Sequence, residues 1–140
     1  MSWKLVFIFP YILSFSSMYA LFELYMKPCG MLHWCSLNWL GLDFYQYGFM
    51  FPLFIVVAII PVIDQFFRNN RARLYAFATF LFGVLSEDSL YFVFARESIK
   101  PGIYTTQWGY LPLAGFILPL WYIFFAVGTI LALYFASIIS

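Results

Sequence analysis

Long apolar stretches separated by short polar breaks dominate the chain. They predict four helices, over residues 5–25, 49–67, 74–95 and 111–139. A bilayer core takes about 20 apolar residues as a helix, so each stretch is long enough to cross. Pro10 lies near the start of the first span, where a helix tolerates it, and Pro61 is expected to bend the second. Pro112 and Pro119 are expected to kink the fourth span or leave its first turns at the interface. An N-terminal signal peptide is the rival reading of the first span, because small residues stand at Ser16, Ser17 and Ala20. The apolar run continues past Ala20 to Tyr25, which favours a retained span.

One span breaks the pattern. Glu87 and Asp88 lie inside the third apolar stretch. A carboxyl at that depth costs about 2.5–3.5 kcal/mol on insertion scales, so the default reading is a functional or assembly-critical site. Ala76, Thr79, Gly83 and Ser86 recur at intervals of three and four, which puts small residues on one face for close helix approach. Glu87, four after Gly83, falls on that face. Asp88 is about 100° further round, at its edge or beyond. Tyr91 is four after Glu87 and three after Asp88, within reach of both. Glu87 is 13 residues on from Leu74, about 20 Å along the axis, which places it in the outer half of the span.

The first span offers Ser16, Ala20, Glu23 and Lys27 along one stripe, and Glu23 and Lys27 are spaced to pair. Lys27 and Arg96 are the candidate cations near the acidic pair. Gly128, Ala132 and Ala136 form a small-residue stripe in the fourth span, read first as internal packing and otherwise as a face for a second copy or a partner.

Charge orients the bundle. Lys4 precedes the first span, and Arg68, Arg71 and Arg73 crowd the turn between the second and third. Lys27, Arg96 and Lys100 lie in the other two connections. Basic residues favour the cytoplasmic side, so both termini and the arginine turn are expected there, in the plasma membrane. Tyr25, Trp34, Trp39, Tyr45, Tyr47, Tyr104, Trp108 and Tyr110 then collect at the outer face, where amphipathic rings suit the headgroup level. The connection after the first helix is expected to form an aromatic lid there.

Composition fits that picture and removes others. Only 9% of residues are charged, too few to cover a water-facing surface, and a net charge of +1 gives no stripe for nucleic acid. The expected architecture is all-α: one integral-membrane four-helix domain over residues 1–140, with the bilayer and a membrane protein or second copy as partners and no cofactor.

The outer connection contains Cys29, His33 and Cys35. A Cys29–Cys35 disulfide suits an oxidising exterior. Two buried cysteines beside an interfacial histidine are the plain alternative, of equal weight. A metal site ranks last, because Asp43 is the nearest further ligand and zinc needs more.

The run G-V-L-S-E-D-S-L-Y-F-V-F at 83–94, with Trp108 and L-P-L-W-Y at 118–122, resembles a family of small uncharacterised polytopic membrane proteins of archaea and bacteria. That family carries a Glu-Asp-x-x-Trp-Phe-like motif in a helix and a tryptophan-rich loop after it. Its loop usually holds a Trp-His pair, which this chain lacks. The resemblance implies a polar site in the helix and does not name an activity for it.

Residues 85–92, L-S-E-D-S-L-Y-F, also resemble the acidic-pair motif of the small membrane lycopene cyclases, without its proline. That resemblance implies a carboxyl at Glu87 or Asp88 donating a proton to a polyene, with aromatic rings stabilising the cation.

Three functions follow: an accessory or assembly subunit, an isoprenoid cyclase or isomerase using the acidic pair, and a proton or cation carrier. The carrier ranks last, because Asp64 lies about 15–20 Å below Glu87 with no polar step between. A non-enzymatic role ranks above catalysis.

Overall fold

The computed structural model describes residues 4–26, 51–96, 99, 109–113 and 116–139. These form α1 (Lys4–Met26), α2 (Phe51–Ile59), a 3₁₀ turn (Ile60–Val62), α3 (Ile63–Phe66), α4 (Asn70–Ala95), β1 (Tyr110–Leu113), β2 (Phe116–Pro119) and α5 (Leu120–Ile138). Three helices, α1, α4 and α5, are long and apolar enough to cross a membrane.

Two expectations need correction. The second span is a shorter apolar helix, Phe51–Phe66, broken at the Ile60–Val62 turn. Pro61 causes the break, since it has no N–H to donate to the preceding turn and its ring crowds that turn's carbonyl.

The fourth helix does not begin at residue 111, and the described residues, mostly helical as expected, also hold a small strand pair. Residues 110–119 hold an antiparallel strand pair, with Tyr110 opposite Pro119 and Leu113 opposite Phe116. Pro112 and Pro119 disfavour helical backbone at Leu111 and Leu118, which leaves those residues extended. Pro119 then stands as the N-cap of α5, with extended backbone. Leu120 N–H donates to the Gly109 carbonyl at 3.1 Å and closes the ribbon's base. Gly109 has φ +81, a conformation that suits glycine, and an added Cβ would lie 2.9 Å from Leu120 Cδ1.

α4 is the hub: α1, α2 and α5 all pack on it. Its start is fixed by Asn69, whose side chain accepts from Arg71 N–H at 2.8 Å. Its length of 26 residues corresponds to about 39 Å. The contacts give the directions. Phe9 meets Phe82, Ile12 and Ser16 meet Gly83, and Glu23 meets Glu87, so α1 and α4 run the same way. Phe54 meets Phe15 and Tyr19 while Val57 meets Tyr11, so α2 runs against α1. Asp88 meets Tyr122 and Leu81 approaches Gly128, so α5 runs against α4.

Gly83 lets α1 come close. Its missing side chain makes room for Ile12 and Phe54, both fully buried, and Ser16 Oγ donates to its carbonyl at 2.9 Å. On α5, Ala132 and Ala136 are buried, and Gly128 accommodates Leu81 of α4. That stripe therefore serves packing within the chain. Several hydroxyls of the described residues bond along their own helices: Ser14 to Pro10, Ser17 to Leu13, Thr79 to Tyr75 and Thr129 to Phe125.

Candidate functional site

The candidate site lies where the C-terminal part of α4 meets the end of α1 and the start of α5. Glu87 is eight residues before Ala95, about 12 Å from that end of α4. Glu23 is three residues before the end of α1, and Tyr122 is in the first turn of α5.

Adjacent residues on a helix point about 100° apart. Glu87 and Asp88 therefore face different neighbours. Glu87 turns into the bundle, where it is 2% exposed, and its carboxyl hydrogen-bonds that of Glu23 on α1. Asp88 is half-buried and accepts a hydrogen bond from the Tyr122 hydroxyl on α5. Ser89 is also within hydrogen-bonding reach of Tyr122, and donates to the Leu85 carbonyl at 2.7 Å.

A carboxylate has acceptors only, so a hydrogen bond between two carboxyls holds one proton. Among the described residues the charged groups acting on Glu87 are Glu23 and Asp88, both acidic. Glu87 Oε1 is buried and has no hydrogen-bond partner among the described residues. The arrangement can hold a proton between α1 and α4, tie α4 to α5 through Asp88, and receive one further donor at Oε1.

The other candidates lie as follows. Ser16 and Ala20 are fully buried, and Ala76, Thr79, Gly83 and Ser86 line the buried face of α4. Glu23 shares that junction with Glu87, whereas Lys27, its expected partner, lies outside the described residues. So do Cys29, His33, Cys35 and the aromatic lid at 28–48. Tyr91 is half-buried, with its ring edge-on to Phe92 at 5.5 Å. Asp64 is exposed on α3. Among the described residues no group of three or more His, Cys, Asp or Glu could hold a metal ion.

Arg96 is exposed at the end of α4 with φ +54, where its backbone N–H reaches the carbonyls of Phe92 and Val93. A left-handed conformation costs a non-glycine residue about 1 kcal/mol. Arg96→Gly keeps the backbone bonds and should stabilise the chain by about that amount. The check is the fraction of sodium dodecyl sulfate that half-unfolds it from mild detergent. An unchanged or lower midpoint would mean that the guanidinium contributes something the backbone strain conceals.

Tyr122 was the residue that sequence reasoning missed. Its signal is the L-P-L-W-Y run, in which Pro119 starts a helix and sets Tyr122 in the first turn. Comparison with protein-family models, curated proteins and solved structures finds no match for this chain.

Proposed function

We propose that this chain is a small accessory or assembly subunit in the cell membrane. Both termini and the arginine turn at 68–73 face the cytoplasm in this reading, and the acidic residues act as an interhelical clasp. The observation that carries it is the division of labour at Glu87 and Asp88. One carboxyl engages α1 and the other α5, so both acids are committed to holding helices together. Interhelical hydrogen bonds in bilayers contribute about 0.6 kcal/mol on average, up to about 1.7. The outward face of α5 is rich in apolar side chains, including Phe124, Val127, Ile130 and Leu131. Such a surface supports lipid and helix contacts rather than chemistry on a soluble substrate.

A second reading, acid-site chemistry on an isoprenoid, draws on Glu87 Oε1, the buried oxygen without a hydrogen-bond partner among the described residues. There Glu87 and Glu23 would hold the proton that a polyene receives.

One experiment separates the two. The chain is extracted from its native membrane in mild detergent and weighed intact, with bound molecules identified by mass. A stoichiometric membrane-protein partner is the expected result. A retained polyene would move the assignment to the enzyme, and recovery of the chain with ordinary phospholipid alone would rule out a stable subunit.

A further inference from the structure

We propose that the turn joining α3 to α4 binds the phosphate of an anionic phospholipid headgroup. The inference rests on residues at the opposite end of α4 from the acidic site and is independent of it.

The turn carries Arg68, Arg71 and Arg73, and the acid nearest to it on α3 is Asp64. Arg73 is exposed, yet its guanidinium is fixed in place. Its Nε donates to the Phe66 carbonyl at 2.9 Å, Nη2 to the Phe67 carbonyl at 2.9 Å, and Nη1 to Asn70 Oδ1 at 3.2 Å. An arginine has five N–H donors, so these bonds leave one on each terminal nitrogen for an anion. Arg71 lies over the Tyr75 ring and donates to its hydroxyl at 3.2 Å. Arg68 is exposed on the turn itself. The N-terminus of α4 adds its positive end at the same place.

Apolar groups stand among these cations. Phe67, next to Arg68, is 77% exposed, and Ile63 is exposed one turn earlier. An exposed phenylalanine between two apolar helices belongs at the boundary of acyl chain and headgroup. A guanidinium beside it then lies at phosphate level. A free phosphate or a phosphopeptide satisfies the charge alone, whereas an anionic phospholipid satisfies both the charge and the ring.

The test uses the full chain in mild non-ionic detergent. Equal amounts of phosphatidylglycerol and phosphatidylcholine with matched acyl chains are added, and retained lipids are counted by intact-complex mass spectrometry. Phosphatidylglycerol should be retained in preference. Arg68→Gln, which removes a charge without touching the bonds that shape the turn, should reduce that preference about fivefold. Circular dichroism checks that helix content is unchanged. Inorganic phosphate at the lipid's concentration should leave the preference intact. Equal retention of the two lipids, an undiminished preference in Arg68→Gln, or displacement by inorganic phosphate would each overturn the proposal.

Discussion

Gly83→Val destabilises the bundle by about 3 kcal/mol, the upper range for overpacking a buried site. A Cβ at this position would lie 2.7 Å from Ile12 Cγ1, 2.9 Å from Ile12 Cδ1 and 3.0 Å from Phe54 Cδ1. Neither neighbour can retreat easily. Ile12 is fully buried and stiff at χ1, and Phe54 is held edge-on by Phe15 at 5.1 Å and Tyr19 at 5.6 Å. Valine brings two further methyls, so α1 must move away from α4. That movement breaks the Ser16 bond to the Gly83 carbonyl and separates Glu23 from Glu87. Gly128→Ala is the comparison. There an added Cβ meets Leu81 Cδ1 at 2.8 Å, the end of a flexible side chain, and the cost should stay below about 1 kcal/mol. Detergent-to-sodium-dodecyl-sulfate titrations of both variants measure the contrast. Equal midpoints for Gly83→Val and the parent chain would mean that α1 and α4 do not meet closely at Gly83.

The packed face of α4 was legible because helix geometry maps spacing onto direction. Ala76, Thr79, Gly83, Ser86 and Glu87 share a face by their intervals alone, and all are buried. The partners of the acids were not legible. A local rule pairs Glu23 with Lys27, which lies outside the described residues, whereas the contact of Glu23 with Glu87 is set by how α1 crosses α4. No spacing within either helix encodes that crossing.

The boundary of α5 was lost for a different reason. Residues 111–119 are as apolar as a helix, and hydropathy does not distinguish strand from helix in a short apolar run. Two prolines in that run carry the information: Pro119 caps the start of α5 and so sets Tyr122 in its first turn. The tyrosine that Asp88 meets on α5 follows from where that helix starts, which spacing along α4 does not carry.

Tyr122→Phe tests the clasp directly and should cost about 2 kcal/mol. The ring and its edge-on contact with Trp121 at 4.4 Å remain, so packing is preserved and only the hydroxyl is lost. Asp88 is then left half-buried without its donor from α5. A polar group that loses its partner in an apolar setting carries its full desolvation penalty, which exceeds the net worth of the bond. Asp88→Leu removes the acceptor instead and leaves the tyrosine hydroxyl to Ser89. The double variant removes both groups together and should be less destabilised than the sum of the single variants, by about 1 kcal/mol. Additivity of the two substitutions would show that Asp88 and Tyr122 act independently. The acidic pair would then hold α4 to α1 through Glu87 alone, and Asp88 would be free for another role. A strong coupling, by contrast, commits Asp88 to α5 and leaves Glu87 Oε1 as a buried oxygen with no hydrogen-bond partner among the described residues.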